Sequence, residues 1–571
     1  MKLKFLFLFF SISLFAQNQY LTPFEKGNEN QSATYQEVVK YYETLEENFD
    51  KIKVTDLGST DANEPLRLVI FNPDKVFNPK FFKNKAVIFI NNGIHPGEPD
   101  GIDATMMMMR DYATRKLKPP KNTIIAAIEV YNIGGMLNRG SFSRANQNGP
   151  EEYGFRGNAR NLDLNRDFIK TDSKNSDSFQ KIFQALNPDV FIDNHVSDGA
   201  DYQYTLTYIL TNKERLGNLL GNFYHGEMND WIVTDLKKKN IDPIPYVEVE
   251  GESPEKGFTQ FMDSPRYSTG YTSLFNTIGT IPETHMLKPY KDRVKVTYEN
   301  MLSYINYLDQ NYLKIKELRQ QNLEQYLPKK SYAIQFAIDS TKFKTIEFKG
   351  FQDGMKPSAI SGFPRLFYDR TKPYTKKIPY YNAYKSTKEI VIPSYYVVPQ
   401  SEWQVVKNLK RNQIQFIELK NDSLFTVQSY KIKDYKTVSK PYEGHYLHSY
   451  TEVSTTTEKV QFRKGDYLIP LKQKGVKYLL ETLEPEAVDS FFNWNYFDSF
   501  LGQKEYFSAY VFEDTAGKLL KENSTLKENF EKKKAENAAF AKDGKTQLDW
   551  IYRNSKYFEK SLNQYPIYRI P

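Results

Sequence analysis

Between about residue 30 and residue 325, short β-prone apolar runs alternate with longer stretches of helical period. The runs Ala86 to Asn91, Thr123 to Tyr131, Val190 to Asn194, Thr205 to Leu210 and Thr277 to Thr284 predict strands, and residues 99–115, 176–186 and 290–325 predict helices. That alternation predicts an α/β domain built on a mixed, largely parallel sheet flanked by helices. The four methionines Met106 to Met109 fall on the first of these helices and read as flexible filler between helix and sheet. Residues 134–162 break the pattern: they are rich in Gly, Asn, Arg and Ser and show no period. Loops of that length inside a compact domain tend to carry function.

Beyond about residue 330 the pattern changes to short alternating pieces such as "SYAIQFAI", "KTIEFKGF" and "IVIPSYYVV", which predict antiparallel β-structure, and from Gly517 to Lys560 it turns helical and charged. The expected organisation is therefore a domain over residues 17–330 and a C-terminal region over 331–571, mainly β and ending in helix. Met1-Lys2-Leu3-Lys4, the apolar run Phe5 to Phe15 and then Ala16 have the parts of a secretory signal, so residues 1–16 are expected to be a signal peptide and the mature chain to be secreted or periplasmic. The run is short for a membrane span, and no stable membrane insertion is expected.

Composition narrows the chemistry. With no cysteine there is neither a disulfide framework nor a thiolate site, so any metal must be held by His, Asp and Glu. The net charge of +8 is spread among interleaved lysines and glutamates, as in "KENFEKKKAEN", which reads as a solvated surface and not as a nucleic-acid footprint. There are only six histidines. His95 and Glu98 stand in "NNGIHPGEPDG", just past the first strand, and His195 follows "DVFID", just past another. Ligands gather beyond the carboxyl ends of strands in open α/β sheets. Two imidazoles and a carboxylate converging there would make a three-ligand metal site with a position left for water or substrate.

A third stretch, "FRGNARNLDLNRDF" at residues 155–168, adds Asn165-Arg166 and Arg156. Together with His95-Pro-Gly-Glu98 and His195, it resembles the zinc carboxypeptidases of the M14 family over residues 90–290. The resemblance implies one zinc per chain held by His95, Glu98 and His195, and a clamp of Asn165 and Arg166 on the substrate's terminal carboxylate. It also implies an arginine that polarises the scissile carbonyl, Arg156 by spacing with Arg144 as the rival, and a general base, Glu283 in "TIGTIPETHMLKPY". A tyrosine covering the substrate would be Tyr271 or Tyr267, of which Tyr271 is preferred. Pro96 and Pro99 bracket the zinc motif more rigidly than the family pattern does, and His285, two residues past Glu283, would share its face of a strand. His225, His445 and His448 have no companion motif and read as structural.

The function implied is an exported zinc metallopeptidase that hydrolyses the C-terminal bond of a peptide or peptide-like substrate with a free carboxylate. Two alternatives stay open: a zinc amidase acting on peptidoglycan stem peptides or acylated amino acids, and a non-catalytic binding protein that keeps the fold. The residue setting side-chain preference is expected within 260–275.

Overall fold

The computed structural model describes residues 20–82, 84–249 and 251–571; the expected signal peptide, residues 1–16, lies outside them. The N-terminal half is built on a nine-stranded mixed sheet. Its strands are β1 (Ile52–Asp56), β2 (Arg67–Phe71), β3 (Ala86–Asn91), β4 (Thr123–Ile128), β5 (Val190–Asp193), β6 (His195–Ser197), β7 (Leu206–Leu210), β8 (Ile244–Pro245) and β10 (Ile278–His285); β9 (Phe258–Thr259) belongs to a separate, smaller sheet. The order is β1-β2-β4-β3-β5-β10-β7-β8, with β6 also beside β10. The centre, β4-β3-β5-β10, is parallel, whereas β1, β2 and β7 join antiparallel. Each expected strand and helix of this half is present within a few residues of its expected ends; β1, β2 and a helix over Tyr35–Asn48 are additions.

Burial on both faces explains the apolar runs. Along β3, Val87 and Phe89 face one side, where the helix Lys174–Leu186 packs through Phe179, Ile182, Phe183 and Leu186. Ala86, Ile88 and Ile90 face the other, under the helices Asp100–Ala113 and Tyr290–Leu323. A strand covered on both sides has no solvent face and needs no polar alternation. Met106, Met108 and Met109 sit wholly inside this second layer, as core filler. Among the described residues no helix is long and apolar enough to cross a membrane.

The C-terminal region is largely antiparallel, as expected. β11 (Ser331–Ile338) pairs with β14 (Tyr384–Val391), and β12 (Lys344–Pro357) with β13 (Pro364–Tyr381). A six-stranded sheet contains β15 (Tyr395–Val398), β16 (Ile417–Glu418), β17 (Ser423–Thr437), β18 (His448–Phe462), β19 (Tyr467–Pro470) and β20 (Tyr568–Ile570). Helices do fill Ala509–Glu522, Ser524–Glu536 and Gly544–Arg553, but the chain does not end in them: β20 returns to pair with β15 and β17. Helices Trp403–Arg411 and Val476–Leu483 were not foreseen.

The two halves share one core. A single apolar cluster takes Phe179, Phe183, Tyr271 and Phe275 from the first half and Tyr332, Tyr396, Tyr478 and Trp494 from the second. Phe275 stacks on Tyr478 with ring centroids 5.7 Å apart. Beside it the buried Arg215 guanidinium donates to Glu481 at 3.1 Å, a carboxylate that also accepts from the Tyr332 hydroxyl at 3.0 Å. Further out, β13 adds in parallel to β9. Cutting one partner from a buried ion pair typically costs about 3–5 kcal/mol, and here a cut between the halves would also expose the shared aromatics. A chain ending at residue 330 is therefore expected to be insoluble or molten, which circular dichroism and thermal unfolding of the purified fragment would check; a sharp, cooperative transition near that of the full chain would contradict the shared core.

Candidate active site

The site is built where β3, β5 and β10 end side by side. Asn91 pairs with Asp193 across β3 and β5, so the segments leaving both strands emerge together. The chain then turns tightly, with the Glu98 amide donating to the His95 carbonyl at 2.8 Å, and enters the helix Asp100–Ala113 at once. Gly97 permits this turn, because a Cβ there would lie 2.7 Å from Cδ of Arg144 and 3.1 Å from the Gly154 carbonyl. Asp100 anchors the far side: it is buried, pairs with Arg293 at 3.2 Å and accepts from the Thr284 hydroxyl, next to Glu283 on β10. One short stretch of sequence thus sets His95 and Glu98 and fixes the strand that carries Glu283.

His95, Glu98 and His195 offer ligand atoms that all lie within 4.8 Å of one another, and all three residues are buried. Nδ1 of His95 is 3.2 Å from one Glu98 oxygen, and Nδ1 of His195 is 3.0 Å from the other. Each imidazole is gripped from behind, Nε2 of His95 by Asp163 at 3.0 Å and Nε2 of His195 by Asp193 at 3.1 Å. A carboxylate on Nε2 favours the tautomer with its proton there, which leaves Nδ1 as a lone-pair donor facing inward. His95 Nδ1 is within ion-pair distance of Glu98 but outside hydrogen-bond geometry, so it is a buried nitrogen with no hydrogen-bond partner. Nδ1 of each histidine and one Glu98 oxygen suit a divalent cation.

Burial lowers the pKa of His195, but Asp193 and Glu98 outweigh it and hold the imidazole well above its usual value, so a cation at Nδ1 would compete with a proton there. Burial opposes charge on Glu98, but His95, Arg144 and the hydrogen bond with His195 outweigh it and hold its carboxyl well below the usual range. Glu98 also accepts from the Arg144 guanidinium and from the Val196 amide, both at 3.0 Å. Glu283 is the opposite case. Burial pushes its carboxyl up to about 8, with His195 and Arg156 countering and Glu98 and Asp193 adding to the rise.

These groups line a cavity of about 330 Å³ that also holds Arg144, Arg156, Asn165 and Arg166. The two candidate arginines differ in what they already hold. Arg144 is committed to Glu98, to Gln147 and to the Val196 carbonyl, and its side chain is 14% exposed. Arg156 bonds Asp163 through Nε at 2.9 Å and is 46% exposed. Arg166 lays its guanidinium over the Tyr267 ring, 4.5 Å from the centroid.

Tyr267 lines the cavity and Tyr271 does not, contrary to the expected preference. The helix Ser268–Ser273 turns Tyr271 into the shared core, where it is 0% exposed, packs on Phe183 and donates its hydroxyl to Asn412 at 2.6 Å. The remaining wall is not confined to residues 260–275: Phe261 lies there, but Ile209, Tyr246, Glu248 and Ile281 come from elsewhere. His285 packs against Tyr202, ring centroids 4.6 Å apart, and burial holds its pKa down to about 4. His225 bonds the Thr211 carbonyl, His445 pairs with Asp172 and His448 with Asp498, all outside the cavity.

Sequence reading overlooked Asp163 and Asp193. Both had a signal: Asp163 begins the "DLNR" stretch already singled out, and Asp193 precedes His195 by two positions.

Neither a protein-family model nor a curated protein matches the sequence. Among solved structures the chain is similar to a metallo-carboxypeptidase from Burkholderia cenocepacia (14% identity, 49% of this chain and 70% of that one, TM-score 0.36). It is similar also to a putative carboxypeptidase A from Shewanella denitrificans OS-217 (14%, 52% and 71%, TM-score 0.37) and to the carboxypeptidase A of Helicoverpa armigera (12%, 49% and 74%, TM-score 0.37). At such identities the chemistry of the site rests on its own residues.

Those residues give a direct expectation. After dialysis against a divalent metal, the protein should retain about one equivalent, and His95→Ala or His195→Ala should abolish retention, as read by elemental analysis. Asp193→Asn should keep the ligand but lower affinity about 10- to 100-fold, the usual effect of removing a group that orients a ligating histidine. Full retention by both histidine variants would overturn the assignment.

Proposed function

We propose that this chain is an exported zinc metallocarboxypeptidase, with residues 17–330 forming the peptidase domain. The observation that carries the reading is the meeting, in one cavity, of the His95–Glu98–His195 cluster, a carboxyl with a raised pKa at Glu283, and the guanidinium groups of Arg156 and Arg166. Zinc held by the cluster would act as a Lewis acid on the scissile carbonyl and lower the pKa of water. Glu283 takes the proton from the attacking water and passes it to the leaving amine, a task suited to a group that can hold a proton near neutral pH. Arg156, less committed than Arg144, supplies a charge-assisted hydrogen bond to the carbonyl oxygen as negative charge grows there. Arg166 and Asn165 bind the terminal carboxylate, for which the planar guanidinium fork is well matched. Tyr267, stacked on Arg166, limits where that fork can swing.

Two substitutions separate binding of metal from chemistry. Glu283→Gln should keep zinc and fold while lowering turnover at least about 100-fold, the contribution typical of a positioned acid or base, whereas Glu98→Gln should lose zinc itself. Zinc content and hydrolysis measured on both variants check this; near-normal turnover by Glu283→Gln would sink the mechanism.

The clamp has its own signature. Arg166→Ala should weaken binding of peptides with a free C-terminus and leave C-terminally amidated ones, already poor, almost unchanged. Comparable kcat/KM losses on both kinds of peptide would mean that Arg166 does not recognise a carboxylate and would favour an amidase that grips its substrate elsewhere.

A further inference from the structure

The C-terminal region touches the site through the tip of the β17–β18 hairpin. Tyr442 and His445 close that tip on each other, amide to carbonyl at 2.8 and 3.0 Å, around Glu443 and Gly444. Both central residues have positive φ, 49° and 83°, which is the tight hairpin turn that favours Asn-Gly. A glutamate in the left-handed region is uncommon and is kept only where the surroundings determine it. What the turn gains by it is placement: a Glu443 carboxylate oxygen accepts from the Asp163 amide at 2.8 Å.

The tip is seated from both sides. His445 Nε2 pairs with Asp172 at 2.7 Å, and the Tyr442 ring lies 5.7 Å from the guanidinium of Arg266, whose amide and Nε donate to Asp489 at 2.9 and 2.7 Å. A second C-terminal group, the Tyr496 hydroxyl, donates to the Lys170 carbonyl at 2.7 Å. The segment from Asp163 to Asp172 is therefore supported at three points by residues that follow it by hundreds of positions. That segment carries Asp163, which grips His95 and Arg156, and then Asn165 and Arg166.

We infer that Glu443 is a positioning residue of the active site: by holding the Asp163 amide it fixes the carboxylate that orients His95 and sets the register of Asn165 and Arg166. The part that concerns substrate rests on the proposed peptidase reading, and the part that concerns the metal does not.

The test compares Glu443→Asn, Glu443→Gln and the full-length parent. Asparagine suits the left-handed turn better than glutamate, so folding should be intact, but its side chain is one methylene too short to reach Asp163. Glutamine keeps the reach and the accepting oxygen. Expected for Glu443→Asn is a melting temperature equal to or above that of the parent, zinc release to a chelator about 3- to 10-fold faster, somewhat below the effect of removing a direct partner of a ligating histidine, and a raised KM with a smaller change in kcat for a peptide with a free carboxylate. Glu443→Gln should restore zinc release and KM to within about twofold of the parent. Parent-like zinc release and KM in Glu443→Asn would overturn the inference. So would a loss of zinc that merely follows a fall in melting temperature, because the turn would then be scaffold alone. If the parent cleaves no peptide, the peptidase reading fails while the zinc-release comparison still decides the role of Glu443.

Discussion

A carboxylate taken wholly out of water is the constraint around which this structure is arranged. An ion of that kind costs several kcal/mol to bury, on the order of magnitude seen for buried charges generally, unless partners surround it. Glu98 is surrounded: by two imidazole nitrogens, an arginine and a backbone amide. Each partner imposes a further condition. Arg144 can approach only because Gly97 has no side chain, the Val196 amide is available only because β5 ends in step with β3, and the two imidazoles point inward only because Asp163 and Asp193 hold their outer nitrogens.

Acidic and basic groups interleave in the cavity: Arg144 and Arg156 both approach Glu98, at 3.0 and 3.8 Å. Beside the ligand cluster, burial raises the proton affinity of Glu283, and Glu98 and Asp193 add to the rise against His195 and Arg156. Arg156 and Arg166 stand on the same wall, one tied back to Asp163 and the other braced against an aromatic ring. On the proposed reading, a substrate would set its terminal carboxylate at Arg166 and Asn165 and its scissile carbonyl at the ligand cluster.

Much of this was legible in the sequence wherever the cause was local. The strands around the site read clearly because they are buried on both faces, so apolar runs such as "AVIFI" could hardly be anything else; β1, "IKVTD" with exposed positions, gave no such run, while β2, "RLVIF", is as fully buried and was overlooked. His95, Glu98, His195, Asn165, Arg166 and Glu283 meet in one cavity: the first three follow the ends of β3 and β5, Asn165 and Arg166 lie in the short turn Leu164–Arg166 just after the long loop, and Glu283 sits on β10. The choice between Tyr267 and Tyr271 was not legible. Both have the right spacing, and what separates them is a short helix whose inner face is decided by Phe183, Asn412 and Tyr478, the last of them some two hundred residues away in sequence. The return of β20 to the sheet was hidden for the same reason: three residues at the chain's end have no period of their own, only partners.

The contact between Asp163 and Glu443 spans 280 positions of sequence. Contacts of that separation form late, because a long loop must be closed before they can reward the chain. A chain still on the ribosome would already contain all three candidate ligands and Glu283, yet the segment bearing Asn165 and Arg166 would lack the hairpin that contacts it. Competence is thus tied to completion. The order in which the parts of the chain are made decides when the candidate site is complete.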